Sequence, residues 1–114
     1  MIIERGDIVI INLEPVKGSE QGKIRPCIVL QNNVGNKYCP TTIVAPITSS
    51  ISEKKYPTEV RINSNESGLP KESTILLNQL RTISIKDRII KKVGKLDSSK
   101  IQEVNEALKI SLDL

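Results

Sequence analysis

The sequence predicts a mainly β fold, a small curved barrel-like sheet covered by one C-terminal helix. Three observations carry that expectation. Short β-branched runs bounded by turn residues recur from residue 8 to residue 96. The apolar spacing changes to three and four only after residue 97, where a helix replaces strands. Val, Ile and Leu fill 36 of 114 positions, enough apolar area for one compact core. The length is that of one domain, taken as 1–114.

Each element has a local reason. Gly6-Asp7 leads into Ile8-Val9-Ile10-Ile11-Asn12-Leu13, and Glu14-Pro15 stops that first strand. The polar stretch 17–23, with Gly18 and Gly22, reads as a mobile surface loop. A second strand runs from Arg25 through Cys27-Ile28-Val29-Leu30 to about Gln31, and 31–37 carries turn chemistry. The third strand spans 41–48, with Pro46 predicting an edge or a bulge. A second polar loop fills 49–57. Thr58-Glu59-Val60-Arg61-Ile62 alternates as a half-buried fourth strand. Residues 73–77 and 80–83 form a longer or broken fifth, and 89–96 a last strand. Asp97-Ser98-Ser99 then offers a helix cap, and Ile101, Val104, Ala107, Leu108 and Leu112 stripe one face of a helix at about 99–111.

Composition excludes several chemistries. The chain has no His and no Trp or Phe, so imidazole has no part as proton shuttle or metal ligand. Cys27 and Cys39 stand twelve apart with no second pair; free thiols are expected, and no metal site. No apolar run approaches the ~20 residues that cross a bilayer, and the charged N-terminus does not read as a signal peptide. A cytoplasmic protein without a membrane partner is expected. The net charge of +4 favours an anionic partner. Residues 81–95 hold Arg81, Lys86, Arg88, Lys91, Lys92 and Lys95 against Asp87 alone.

The residues with chemical potential lie at one end of the second hairpin. If strands two and three pair about the Asn36-Lys37 turn, Arg25 faces Thr48. Directly opposed residues share a face of the sheet, with Cβ atoms roughly 4.5–5.5 Å apart. A guanidinium and a hydroxyl would then meet beside loop 17–23, forming an oxyanion or phosphate site. A bulge at Pro46 would undo that register.

Arg5-Gly6-Asp7-Ile8-Val9, Gly18-Ser19-Glu20-Gln21-Gly22, Arg25-Pro26, Gln31-Asn32, Gly35-Asn36, Thr41-Thr42-Ile43-Val44, Ile47-Thr48 and Leu77-Asn78-Gln79-Leu80-Arg81-Thr82 occur in this order. Over about residues 4–112 this pattern resembles the MazF (PemK-like) toxin endoribonucleases. The resemblance implies an SH3-like barrel of the CcdB/PemK type with a C-terminal helix. It implies a homodimer that cuts single-stranded RNA at a short sequence without a metal or other cofactor. It also implies neutralisation by a MazE-type antitoxin whose acidic tail fills the RNA groove. On this resemblance Arg25 and Thr48 are catalytic and Glu20 assists. The RNA-contact residues expected are Arg5, Lys17, Ser19, Gln21, Gly22, Ser49, Gln79 and Arg81. Asn78 stands where close relatives often carry an acid, and isoleucines replace aromatics in strand one; both departures bear on the target sequence.

The chemistry suits a chain without histidine. In RNA the 2′-hydroxyl can attack its own phosphodiester, so no protein nucleophile is required. The protein must supply in-line geometry and charge stabilisation. With only Tyr38 and Tyr56 as aromatics, base recognition has to rest on hydrogen bonds rather than a stacking platform. Two other readings are compatible with the fold. One is a non-catalytic SH3-like module that binds RNA or protein. The other is a CcdB-like gyrase poison; that family acts through a C-terminal Trp-Gly-Ile, whereas this chain ends Ile110-Ser111-Leu112-Asp113-Leu114.

Overall fold

The computed structural model describes residues 1–13, 18 and 23–114. In those residues the order is β1 (Asp7–Asn12), β2 (Ile24–Val29), α1 (Asn33–Tyr38), β3 (Thr41–Thr48), β4 (Glu59–Ile62), α2 (Ser64–Ser67), β5 (Ser73–Leu76), β6 (Arg81–Ser84), α3 (Ile85–Arg88), β7 (Ile89–Lys95) and α4 (Ser98–Leu112). The described strands form one seven-stranded sheet in the order β4-β5-β3-β2-β1-β7, with β6 pairing β3 off that path. Every pairing is antiparallel.

Side-chain alternation sends the central strands into two cores. Ile8, Ile28, Ala45, Ile47, Ile75 and Leu77 join Val104 and Ala107 of α4 on one face. Val9, Ile11, Cys27, Val29, Val44, Ile83 and Ile89 pack on the other. Burying one such aliphatic side chain stabilises the fold by ~1.5–3 kcal/mol, so the period-two pattern fixes the register strongly. Cys27, Ile28 and Val29 are all fully buried within this one chain. The apolar character of β2 on both faces therefore reflects two internal cores and does not require a second copy.

The sheet is open and curled rather than a closed barrel. Among the described residues β4 and β7 end the hydrogen-bonded path, and α2, directly after β4, packs against β7. Gly68 caps α2 in the left-handed region at φ 77°. A Cβ there would sit 2.6 Å from the Val93 carbonyl oxygen, and one on Gly94 would overlap the Ser67 carbonyl. The curl is closed by backbone lying on backbone.

Several expectations need correction. The predicted turn at 31–37 is a short helix: Asn32 Oδ1 caps α1 by accepting the Gly35 N–H at 2.8 Å. Asn36, buried beneath it, donates to the Gln31 carbonyl at 2.9 Å and accepts from Thr42 Oγ1 at 2.7 Å. Pro46 marks no bulge, and among the described strands β3 has a ladder partner at Pro46 on one side only, an edge confined to that point. It lies buried within β3 opposite Cys27, in an unbroken register with Ile28↔Ala45 and Val29↔Val44. Proline is accommodated because β3 changes partner there; pairing with β6 ends at Val44 and pairing with β5 begins at Ile47. The broken fifth strand resolves into β5 and β6. The terminal helix, predicted at 99–111, spans Ser98–Leu112 with Asp97 as its cap. The Lys100 backbone N–H, with the Ser99 hydroxyl, holds the Asp97 carboxyl below its usual value.

Candidate active site

The β2–β3 register sets the geometry of the site. Cys27 opposes Pro46, and the same register carried two residues further places Arg25 opposite Thr48. Across the other edge of β2, Arg25 opposes Ile11, so its face is continuous with the second core. The pair emerges because both residues stand at strand ends, where each is half-buried. Arg25 and Thr48 line one cleft of about 560 Å³ together with Pro26, Ser49, Ser50, Leu69, Lys71 and Ser73. That volume lies in the ~300–1,000 Å³ range of small-ligand pockets.

Hydrogen bonding leaves Thr48 able to donate. Its Oγ1 accepts the Ser50 N–H at 3.2 Å, which occupies a lone pair and not the hydroxyl proton. Thr74, its cross-strand neighbour on β5, is buried, and its hydroxyl finds no partner among the described residues. Thr74 therefore makes no claim on that proton.

Positive charge converges on this end of β1 and β2. Arg81 Nη1 donates to the Leu13 carbonyl at 2.6 Å, and Arg88 Nη1 to the Asn12 carbonyl at 3.1 Å. Arg25 and Arg81 both bear on the Cys27 thiol. Burial pushes that thiol up to about 12, the two guanidiniums pulling the other way. Cys27 thus stays neutral and inert near neutral pH, because the thiolate is the reactive form. Iodoacetamide at pH about 8 is expected to label the native protein on exposed Cys39 alone. Peptide mapping that found native Cys27 alkylated would contradict this buried-thiol account.

The remaining candidates separate clearly. Ser49 lines the cleft, whereas Arg81, bound to the Leu13 carbonyl, lies outside its lining. Gln79 lies in the turn after β5, its N–H donating to the Leu76 carbonyl at 3.2 Å, outside the cleft lining. Arg5 is placed elsewhere. Its Nε donates to the Leu30 carbonyl at 2.9 Å and its Nη2 to Asn105 Oδ1 at 2.8 Å. That guanidinium clasps α4 to the far end of β2, where it holds the fold together instead of facing the cleft. Lys17, Ser19, Glu20, Gln21 and Gly22 lie outside the described residues. Sequence reasoning missed Lys71 and Ser73 in the cleft lining. Ser50 fell within the polar loop 49–57 and Arg88 within the basic 81–95 segment, neither singled out as a site residue.

The described residues thus form an antiparallel curled sheet whose cleft is lined by Arg25 and Thr48, with Arg81 and Arg88 bound to the backbone at the end of β1. The chain belongs to the PemK-like, MazF-like toxin family of type II toxin–antitoxin systems, which matches residues 4–112. It is 48% identical over 114 residues to Endoribonuclease EndoA of Bacillus subtilis (strain 168), covering 100% of this chain and 97% of that protein. Its fold is similar to that of crystalline MazF from Deinococcus radiodurans, with a TM-score of 0.86, 24% identity, and 100% and 99% of the two chains covered. A mycobacterial endoribonuclease in complex with its cognate antitoxin gives a TM-score of 0.80 at 16% identity, over 98% and 96% of the two chains.

Proposed function

We propose that this chain is an endoribonuclease toxin that cuts single-stranded RNA at a short sequence in the cytoplasm, and that the Arg25–Thr48 cleft performs the cut. The observation that carries this reading is that those two residues, from adjacent strands, line one nucleotide-sized cleft. The attacking group is the substrate's own 2′-hydroxyl. Its oxygen bonds to the adjacent phosphorus as the P–O5′ bond breaks, leaving a 2′,3′-cyclic phosphate and a 5′-hydroxyl end. The proton lost from the 2′-oxygen is balanced by the one gained at O5′.

Arg25 meets the extra negative charge on the phosphorane with a planar, permanently charged fork. Thr48 donates to a non-bridging oxygen. Glu20, which follows β1 in the sequence, assists. With the nucleophile supplied by substrate and the charge met by Arg25, the reaction needs no metal. Ser49 and the polar loops hydrogen-bond to base edges, which favours unpaired RNA. The toxin works as a homodimer, and a MazE-type antitoxin neutralises it by laying an acidic segment over the same basic rim. The solved mycobacterial relative bound to its antitoxin supports that partner.

The test is incubation of structureless RNA with purified protein in excess EDTA, followed by identification of the new ends. Cyclic-phosphate and 5′-hydroxyl ends at a recurrent short motif are the expected result. Metal-dependent cutting would refute the mechanism. RNA binding without cleavage would support the non-catalytic module.

A further inference from the structure

The wall of the cleft facing Arg25 and Thr48 comes from a distant part of the chain. It is the short segment Leu69-Pro70-Lys71 between α2 and β5. This wall is braced on both sides. Asn63 and Glu66 form a reciprocal capping box on α2, the Leu69 N–H donates to Ser67 Oγ at 3.0 Å, and the Leu69 side chain is buried in the first core. On the other side, Ser73 Oγ donates to the Lys71 carbonyl at 3.0 Å. Lys71 and Ser73 line the cleft, and Glu72 between them does not.

The ammonium of Lys71 differs from several others on the surface. Lys92 and Lys95 pair with Asp7 and Glu4, Lys100 with Glu66 and Glu103, and Lys109 with Glu106. Among the described residues Lys71 forms no salt bridge, although it is exposed and lines a cleft that already holds Arg25. Among the described residues no ion pair accounts for this second cation on a braced wall of the cleft. A cleft lined by two cations favours a polyanion over a neutral ligand.

We propose that Lys71 is a phosphate-positioning residue, binding an RNA phosphate next to the one held by Arg25 and Thr48, with Pro26, Leu69 and Pro70 forming an apolar shelf beneath the nucleotide between them. This rests on the reading of the cleft as an RNA-cutting site. A backbone phosphate contact fixes the register of the strand and carries no base information.

The experiment compares wild type, Lys71→Gln and Lys71→Arg on one single-stranded RNA that the wild type cuts, over a series of salt concentrations. Lys71→Gln is expected to raise KM about threefold or more with little change in kcat. The slope of log(kcat/KM) against log[salt] should become shallower by about 0.7, the loss of one released counterion on a single strand. Lys71→Arg should restore both, and the thermal midpoint should stay put in each variant. A Lys71→Gln protein with the wild-type salt slope overturns the proposal, as does a loss confined to kcat. If the wild type cuts no RNA, it is the cleavage reading that fails.

Discussion

Arg25→Ala is expected to lower the single-turnover cleavage rate by about 10²–10³, the usual cost of removing one donor aimed at developing charge. The side chain is half-buried at the end of β2, so the variant also loses some packing of its aliphatic stem. The cores beneath it, from Cys27 to Val29, remain fully buried, and the fold should survive. Arg25→Lys should recover only part of the rate. Lysine keeps the charge but not the planar fork that reaches two phosphate oxygens at once. Rates on a single RNA, with circular dichroism to confirm folding, check this. Near wild-type cleavage by a folded Arg25→Ala protein would remove the guanidinium from the mechanism.

Gly94→Ala is expected to produce the largest loss of stability from a single methyl. Gly94 faces Ile8 across the β1–β7 pair, and an added Cβ would overlap the Ser67 carbonyl, with Gly68 N only 3.6 Å away. The obstructing atoms are backbone, so a rotamer change cannot relieve the overlap. Overpacking of this kind costs about 1–3 kcal/mol, and for a chain of this size each kcal/mol lowers Tm by about 4 °C. Thermal unfolding measures it directly; an unchanged midpoint would mean that α2 does not close the curl of the sheet. The consequence reaches the active site. The Leu69–Lys71 wall hangs from Gly68, so a displaced α2 opens the cleft, and cleavage should weaken even below the unfolding transition.

The parts of the molecule legible in the sequence are those set by period two and by local caps. The β2–β3 register that brings Arg25 and Thr48 to one cleft follows from the turn centre and the alternation of both strands, because a slip of one residue would turn Ile28 and Ala45 out of their core. The terminal helix was legible from the Asp97 cap and the spacing of Ile101, Val104 and Leu108. What escaped notice depends on tertiary contact. A helix of six residues around Gly35 uses the same Asn-rich chemistry as a turn; only the buried Asn36–Thr42 hydrogen bond separates the two. Pro46 signals the local edge that β3 has there, but nothing local reports that β3 pairs with different strands on either side of it. The far wall of the cleft depends on α2 meeting β7, a contact between segments about 26 residues apart with no sequence signature. Arg5, grouped with the RNA contacts by its place in a motif, is held by Leu30 and Asn105.

The most direct measurement is a crystal structure with an RNA in which the 2′-hydroxyl at the cut is replaced by hydrogen, so that binding proceeds and cleavage cannot. The phosphate following that sugar is expected within hydrogen-bonding distance of both the Arg25 guanidinium and the Thr48 hydroxyl. A strand bound with that phosphate away from both groups would contradict this reading.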